Sequence, residues 1–196
     1  MSRPSPRRPR TIFLIGISGS GKGTQAAKLR RILRPSYYLE IGKRVRRYIG
    51  RRTIGGERIT QTTTRGELIP TWTLLAILGL ELLERIPPGI HIITDGTPRR
   101  LAEAELWDEI VQDAGRPLPV ALYLALSERQ ARRRLLKRGR PVDDHPAAIR
   151  RRFAYFRKDV LPVVTYYRAR RRLVTVNGDQ PIQAVWRDIR RALKLR

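Results

Sequence analysis

The stretch GISGSGKGT, residues 16–24, decides how this sequence folds, and it directly follows the apolar run Thr11 to Ile15. A G-x-x-x-x-G-K-x-T spacing between a predicted strand and a predicted helix is typical of a phosphate-binding loop. Its glycines let backbone N–H groups curl around phosphate oxygens, and the helix that follows adds the positive end of its dipole. We therefore expect the chain to bind a nucleoside triphosphate, and a glycine-rich turn without a ligand is the weaker interpretation.

Apolar runs alternate with helical patterns on the carboxyl side of this loop. The predicted strands and helices are, in chain order, strand Thr11–Ile17, helix Lys22–Leu33, strand Gly89–Thr94, helix Arg99–Ala114, strand Val120–Leu126, helix Ser127–Arg138, one long helix over 146–170, strand Leu173–Val176 and a terminal helix from Pro181. This alternation indicates an α/β fold with a parallel β-sheet flanked by helices and buried on both faces. The phosphate-binding loop then lies at the carboxyl edge of the sheet, where such folds bind ligands.

Residues 37–86 interrupt the alternation with helical patterns but no confident strand, which predicts an inserted helical lobe. Within it, Gly50–Gly66 is rich in Thr, Gly and Arg and indicates a mobile connection. Thr71–Ile86 is apolar almost all round and should pack against the main body. The predicted organisation is a basic tail over residues 1–10 and a single domain over residues 11–196.

The composition excludes several classes of protein. No stretch reaches the roughly 18 to 20 apolar residues of a membrane span, and the basic tail has no apolar signal segment. We therefore expect a cytoplasmic protein with no membrane partner. The chain has no cysteine, so disulfides and Cys-based zinc sites are excluded, and we expect no zinc.

A net charge of +25 exceeds what a phosphate pocket requires. One explanation is contact with the phosphates of a nucleic acid. The other is a genome whose composition favours arginine codons, which gives a solvated basic surface. We favour the second, because the arginines are dispersed over every predicted helix and are not interleaved with aromatic residues that would stack on bases.

Four further motifs narrow the choice among kinases, ATPases, GTPases and transporter motors. They are GKGTQ at 21–25, GELIP at 66–70, DGTPR at 95–99, and RLLKRG at 134–139 followed by Asp143 and Asp144. In this order and spacing they resemble the adenylate kinase family of nucleoside monophosphate kinases, from about Thr11 to Ile189. The resemblance implies a P-loop kinase fold in which residues 37–86 form the NMP-binding lobe. It also implies reversible, Mg²⁺-dependent phosphoryl transfer from ATP to a nucleoside monophosphate.

The resemblance assigns the donor side of the site. Lys22 would bridge the phosphates, and Asp95 would hold Mg²⁺ through its water shell. Arg134 would pack on the donor adenine. The donor-binding residues implied are Gly19, Ser20, Gly21, Lys22, Gly23, Thr24, Arg134 and Gln180.

The resemblance also assigns arginines that suit the chemistry, because the transition state spreads negative charge over oxygens that must be positioned and neutralised. The implied catalytic residues are Lys22, Arg99, Arg138, Arg140 and Arg152. Arg99 and Arg46 would clamp the acceptor phosphate, whereas Asp143 and Asp144 would brace arginines. The implied acceptor-binding residues are Ile41, Gly42, Arg46, Leu68, Ile69, Gly96, Arg99 and Glu103.

The acceptor side departs from the family pattern at several positions. Where the family's adenylate kinases have a base-reading glutamine, this chain has Glu103, and an ionised carboxylate accepts but does not donate. Ile41 and Lys43 replace the threonine and aspartate of the family's T-G-D stretch, and Thr97 stands where the family has phenylalanine. We favour AMP as the acceptor, and UMP, CMP and GMP remain open at this point.

A second departure is the short segment at residues 138–145, a residual lid. Lids exclude water, so a short one should raise wasteful hydrolysis unless another element or a neighbouring subunit covers the site, and an oligomer is conceivable. The sequence therefore favours an adenylate kinase of short-lid or lidless form, with ATP and AMP as its substrates. The alternatives are a UMP/CMP or GMP kinase of the same fold, a nucleotide hydrolase, and a nucleic-acid-binding protein on a kinase-like scaffold.

Overall fold

A computed structural model describes residues 8–139 and 144–195. The strands are β1 (Thr11–Ile15), β2 (Ser36–Glu40), β3 (His91–Asp95), β4 (Val120–Ala125) and β5 (Leu173–Asn177). The helices are α1 (Lys22–Ile32), α2 (Ile41–Arg46), α3 (Ile54–Thr64), α4 (Thr71–Glu84), α5 (Leu101–Asp113), α6 (Glu128–Arg138), α7 (Pro146–Tyr155), α8 (Leu161–Ala169) and α9 (Ile182–Ala192), with a π-helical turn at Phe156–Val160 between α7 and α8.

The five strands form one parallel sheet in the order β2-β3-β1-β4-β5. The central strand β1 is buried at every position, and its Phe13 lies opposite Thr94 of β3 and Ala121 of β4. The predicted parallel sheet, buried on both faces, is thereby confirmed. Since all strands run in one direction, the loop after β1 and the end of β3 at Asp95 lie at the same edge.

Two hydrophobic clusters cover the two faces of the sheet. Because successive strand residues point to opposite faces, Phe13 joins a cluster with Trp107 and Tyr167, while Ile12 joins a second cluster with Ile189. Phe13 contacts both aromatic partners, with ring centroids at 5.3 Å and 5.8 Å. Each fully buried side chain of this kind contributes roughly 1.5–3 kcal/mol through burial of apolar surface.

A buried ion pair joins α5 to the segment before β5. Asp108 receives both terminal nitrogens of Arg172, one of them at 2.7 Å, and it also accepts a hydrogen bond of 2.7 Å from the Tyr166 hydroxyl. The side chains of Asp108 and Arg172 are each only 13% exposed. Asp108, Tyr166 and Arg172 therefore hold α5 against α8, on the face of the sheet against which Trp107 packs.

The prediction that residues 37–86 contribute no strand is wrong. Ser36–Glu40 forms the edge strand β2, which pairs with β3 from Ser36 opposite His91 to Glu40 opposite Asp95. Of its five residues only Leu39 is fully buried. An edge strand half covered by side chains lacks the continuous apolar run that reveals a central strand, and this is why the pattern did not show it.

The prediction of a connection over Gly50–Gly66 is also wrong, because most of it is the helix α3. The helix begins after Thr53, whose hydroxyl accepts a hydrogen bond from the Gly56 N–H at 3.1 Å. This capping contact satisfies an N–H group that the first helical turn leaves without a partner, and it offsets the low helix propensity of Gly55 and Gly56.

Substituting Thr53→Ala should destabilise the protein by about 1 kcal/mol, because the first turn of α3 loses its cap. Urea unfolding followed by circular dichroism measures this change. Thr64→Ala is the matched control: Thr64 is exposed, its hydroxyl bonds to the Thr60 carbonyl within the helix, and its loss should cost less than about 0.5 kcal/mol. Equal effects of the two substitutions would contradict a capping role.

The long helical stretch predicted over 146–170 is confirmed, but the helix type changes inside it. A π-helical turn at Phe156–Val160 separates α7 from α8, and Pro162 follows at the start of α8. Proline has no N–H to donate to the preceding turn, so the regular hydrogen-bond ladder cannot pass through this point. The turn lies directly after Tyr155, which faces the cavity described below.

Helix α4 packs against the main body, as predicted, but it does so on one side only. Leu74, Ile77 and Leu78 are buried in the core, but Trp72 is 50% and Leu83 is 87% exposed. No helix within residues 8–139 or 144–195 combines the length and apolarity that crossing a membrane requires.

Candidate active site

A cavity of about 630 Å³ opens at the carboxyl edge of the sheet, between the phosphate-binding loop and the helices α2 to α4. The structure brings most of the predicted site residues together around it. Those that line the cavity are Gly19, Gly21, Lys22, Gly23, Thr24, Ile41, Gly42, Arg46, Leu68, Ile69, Asp95, Gly96, Arg99, Glu103, Arg134, Arg138 and Arg152.

The loop between β1 and α1 is already folded around its own lysine. Gly19 and Gly21 have φ values of 89° and 92°, in the left-handed region that glycine adopts readily. The Lys22 Nζ donates hydrogen bonds to the carbonyl of Gly16 at 2.8 Å and to that of Ile17 at 3.1 Å. The ammonium group thus lies inside the ring of backbone that would receive phosphate oxygens.

Lys22 lies in a strongly cationic environment. Burial lowers its pKa from the ordinary value, Asp95 opposes this shift, and Arg99, Arg138 and Arg152 add to it. Each of these cations disfavours a further positive charge on the lysine. A bound polyphosphate would reverse this balance by supplying anionic partners to all four cations, so the site is electrostatically suited to a highly charged anion.

Asp95 is the candidate for holding a magnesium ion. It lies at the end of β3, lines the cavity with Thr24, and accepts a long hydrogen bond of 3.4 Å from the Tyr38 hydroxyl. The described parts of the chain contain no cluster of three or more acidic, His or Cys side chains able to hold a metal. A lone carboxylate with a nearby hydroxyl nevertheless fits Mg²⁺, which usually keeps several waters and shares one or two carboxylates with substrate phosphates.

Two further predicted arginines, Arg46 on α2 and Arg99 after β3, line the cavity. The Arg46 Nη2 pairs with the Glu40 carboxylate at 3.0 Å, on the exposed side of the lobe. Arg99 follows the turn at Gly96 and lies over the ring of Tyr155, with 5.8 Å from its guanidinium carbon to the ring centroid. Both guanidinium groups therefore sit where a second phosphate group could be held.

Glu103 also lines the cavity, but it is largely buried, with 3% exposure. Its Oε2 accepts from the Arg99 N–H at 2.7 Å and from the Thr97 hydroxyl at 3.4 Å, and Thr97 in turn accepts from the Trp107 indole at 3.2 Å. Burial raises the pKa of Glu103, and the Arg99 N–H and the charges of Arg99 and Arg100 oppose that rise. Glu103 thus fixes the backbone of the turn that carries Arg99.

The remaining predicted arginines approach from α6 and α7. Arg138 donates two hydrogen bonds to Asp144, at 2.8 Å and 2.6 Å, a bidentate pair in which the carboxylate is buried. This confirms the expected bracing role of Asp144. Arg134 donates to the Gly178 carbonyl at 3.1 Å and lies 3.6 Å from Asp179, while Arg152 reaches the cavity from the middle of α7.

Three predicted positions are not placed around the cavity. Of the described site residues, Ser20 is buried beneath the loop, and Gln180 directs its amide nitrogen to the Asn177 carbonyl at 2.9 Å and to Asp188 at 2.8 Å. Arg140 lies outside the described residues, as do Asp143 and the rest of the segment 140–143 within the predicted lid at 138–145.

The cavity also includes residues that sequence reasoning missed. Glu40 and Tyr155 are the partners of Arg46 and Arg99 described above, and Arg100 lines the cavity beside Glu103. Two of them had a signal in the sequence. Arg100 directly follows a predicted phosphate arginine, and Tyr155 lies about one helical turn after Arg152, on the same face of α7.

Comparison with known proteins agrees with this geometry. The family model described as "Adenylate kinase" matches residues 14–172. An adenylate kinase of Thermus thermophilus is 36% identical over 186 residues, covering 93% of this chain and 96% of the relative. An adenylate kinase of Prochlorococcus marinus is 32% identical, covering 93% and 97%, and adenylate kinase 1 of Schistosoma mansoni is 28% identical, covering 95% and 94%.

Proposed function

The chain belongs to the adenylate kinase family and is a phosphotransferase, and we propose that its cavity brings Mg·ATP and AMP together for reversible phosphoryl transfer that yields two ADP molecules. In the forward direction the terminal phosphoryl group leaves the β-phosphate oxygen of ATP and forms a bond to a phosphate oxygen of AMP. The bond that forms and the bond that breaks both involve phosphate oxygens.

The presence of two phosphate-binding sets in one cavity carries this proposal. The loop with Lys22 is suited to a triphosphate, and Arg46 with Arg99, outside the loop, provides a second cationic set that lines the same cavity. A nucleotide hydrolase requires only the first set, because its acceptor is water. A nucleic-acid-binding protein does not require either of these two sets of cations to be enclosed in a cavity. Two such sets in one cavity suit a reaction between two phosphorylated substrates.

We assign the neutralisation of the transferring group to Lys22 together with arginines that line the same cavity. Charge spreads over the oxygens of the phosphoryl group in the transition state, and Lys22, Arg138 and Arg152 would neutralise it, with Arg140 as a further candidate. Asp144 would act on Arg138 as a positioning residue, since its two hydrogen bonds fix the guanidinium plane. Mg²⁺, held by Asp95 through water and by Thr24, would supply additional positive charge at the phosphates.

We further propose that the enzyme is of the short-lid or lidless form. Helix α7 begins at Pro146, only a few residues after α6 ends at Arg138, which leaves little chain for a covering domain. Exclusion of water would then depend on α2, α3 and α4. These helices lie within residues 37–86, the lobe that we assign to binding of the acceptor.

The test is a coupled assay of the purified protein with Mg·ATP and, separately, AMP, GMP, CMP and UMP, in which diphosphate and free phosphate are recorded independently. We expect diphosphate formation with AMP at a kcat/KM at least about 10-fold above that for the other acceptors, since one well-made base contact contributes that much. Preference for another monophosphate would overturn the choice of AMP. Phosphate release that is independent of any acceptor would indicate a hydrolase.

A further inference from the structure

The five parallel strands all begin at one edge of the sheet, the amino edge, which is opposite the edge that carries the cavity. Backbone hydrogen bonds place the segments that enter the strands side by side. The His91 N–H donates to the Pro35 carbonyl at 3.0 Å, and the Ile92 N–H donates to the carbonyl of Arg10 at 2.8 Å. The end of α9 joins this edge, because the Arg10 Nη1 donates to the Leu193 carbonyl at 2.8 Å. Segments far apart in the chain therefore lie on one surface.

The surface of the amino edge is cationic. The segments that enter the strands are residues 8–10, 33–35, 85–90, 114–119 and 170–172, and residues 193–195 follow α9. They contain none of the chain's 17 acidic residues but nine cationic ones, which are Arg8, Arg10, Arg34, Arg85, Arg116, Arg170, Arg171, Arg172 and Lys194. The last turns of α1, α8 and α9 add Arg30, Arg31, Arg168, Arg190 and Arg191, whereas α4 and α5 end with the acidic residues Glu84 and Asp113. Arginines that are dispersed along the sequence are thus gathered by the parallel topology.

Only part of this charge is compensated within the fold. Two of the nine cations, Arg85 and Arg172, form ion pairs with buried acidic residues. Among the ion pairs of residues 8–139 and 144–195, none involves Arg34, Arg170 or Arg171, and all three side chains are exposed. A helix C-terminus carries the equivalent of about half a negative charge, so the dipoles of α1, α8 and α9 do not neutralise the cations at their ends. The amino edge therefore keeps a positive potential that suits an extended polyanion.

The side chains of the amino edge suit phosphodiester groups better than a lipid surface. Of the nine cations only Lys194 is not an arginine, and the planar guanidinium of arginine binds phosphate through two parallel N–H groups. In the described segments of this edge Leu118 is the single exposed large apolar side chain, so little apolar surface is available to enter a bilayer. The Arg170 guanidinium carbon lies 3.6 Å from the centroid of the Tyr166 ring. This stacking restricts the side chain in advance and lowers the entropy that binding would cost.

The dimensions of the sheet fit such a ligand. Neighbouring strands are about 4.8 Å apart, so the entries of five strands span about 19 Å. A DNA duplex presents about eleven phosphates over that length, at one charge per about 1.7 Å. The strands are five or six residues long, so about 16 Å separates the amino edge from the edge that carries the cavity.

We propose that the amino edge binds the phosphodiester backbone of a nucleic acid, with Arg34, Arg170 and Arg171 among the contacts, while the cavity stays open to its own ligands. Binding of this kind is independent of base sequence, because only phosphates are contacted. The inference does not rest on the proposed reaction, since no residue of the segments that form this edge lines the cavity. It replaces the interpretation of a purely solvated basic surface, which was drawn from the dispersed sequence pattern.

The first experiment measures fluorescence anisotropy of a labelled DNA duplex of about 20 base pairs, and of an RNA strand of equal length, over about 0.05–0.3 M salt. For the duplex we expect the logarithm of the binding constant to fall linearly with the logarithm of salt concentration, with a slope of about −5 from five or six phosphate contacts. Saturating ATP at constant Mg²⁺ should leave the affinity unchanged. A loss of about 10-fold or more with ATP would show that the nucleic acid occupies the cavity instead, and would overturn the inference.

The second experiment removes charge at the amino edge and, as a control, elsewhere. Arg170→Gln combined with Arg171→Gln should weaken duplex binding at least about 10-fold at about 0.1 M salt and make the slope less negative by about 2. Adding Arg34→Gln, at the other end of the edge, should change the slope by about 1 more. Arg52→Gln with Arg58→Gln removes the same net charge at exposed positions outside this edge and should leave the affinity within about 2-fold. The amino-edge variants should keep the thermal midpoint and kcat of the wild type.

Three results would overturn the inference. They are a salt slope no steeper than about −1, equal weakening in the two double variants, and binding to vesicles but not to nucleic acid. The vesicles contain about 30% phosphatidylserine in phosphatidylcholine and are tested by co-sedimentation, since an anionic bilayer is the other surface that attracts clustered arginines. Equal weakening would show that net charge alone attracts the polyanion. Vesicle binding that is lost in the amino-edge double variant would assign this edge to a membrane surface.

Discussion

Replacing Lys22 with methionine should reduce kcat for phosphoryl transfer by about 10³-fold while the fold is retained. Methionine keeps most of the aliphatic stem and removes the charge that lies inside the phosphate-binding loop. Losing one preorganised donor to a developing negative charge costs about 10²- to 10³-fold in the cases where it has been measured. The charges of Arg99, Arg138 and Arg152 all lower the pKa of Lys22, so its ammonium group lies within electrostatic reach of these three arginines.

The measurement is the same coupled assay at saturating Mg·ATP and AMP, together with circular dichroism to establish that the variant is folded. Lys28→Met is the matched control, because Lys28 lies on the same helix α1, is only partly buried, does not line the cavity, and bonds to Gln183. It should retain a kcat within about 2-fold of the wild type. Turnover of Lys22→Met close to that of the control would contradict the role assigned to the loop.

Replacing Asp108 with alanine should destabilise the protein by about 3–5 kcal/mol, because it leaves the buried charge of Arg172 without a partner. The same substitution removes the acceptor of the Tyr166 hydroxyl. Urea unfolding measures the loss. Since Asp108 lies outside the cavity, kcat per folded molecule should stay within about 2-fold of the wild type.

Glu128→Ala is the control for this second prediction. Glu128 pairs with Arg157 on the surface, where the two side chains are 44% and 56% exposed. An exposed pair contributes about 0–1 kcal/mol, because water screens both charges. If Asp108→Ala lowered the free energy of unfolding no more than Glu128→Ala, the contacts of Asp108 with Arg172 and Tyr166 would not stabilise the packing of α5 on α8.

The sequence was most informative where a motif with a known chemical requirement directly follows an apolar strand pattern. Residues 16–24 must be a tight, glycine-rich turn after a buried strand, and this requirement predicted the loop and the position of Lys22 correctly. The family resemblance supplied Asp95 and Arg99, which the structure places at the end of β3 and four residues after it, where both line the cavity. The central strands are visible in a sequence because burial on both faces demands continuous apolar residues.

Features that depend on tertiary neighbours were not predictable in the same way. The edge strand β2 lies beside β3 with one fully buried side chain, and the π-helical turn at Phe156–Val160 leaves the general helical pattern of 146–170 intact. The pairing of Arg100 with Glu103 requires knowing that the Arg99 N–H holds Oε2. The position of Gln180 against Asp188 likewise depends on how α9 packs.

The folded phosphate-binding loop has a consequence for the thermodynamics of substrate binding. Its glycines already hold their left-handed conformations, and Lys22 is tied to the carbonyls of Gly16 and Ile17. An arriving triphosphate therefore exchanges hydrogen-bond partners within a shape that exists beforehand, and the loop loses little conformational entropy. The entropic cost of assembling the complex then falls on substrate translation and rotation and on the long arginine side chains around the cavity.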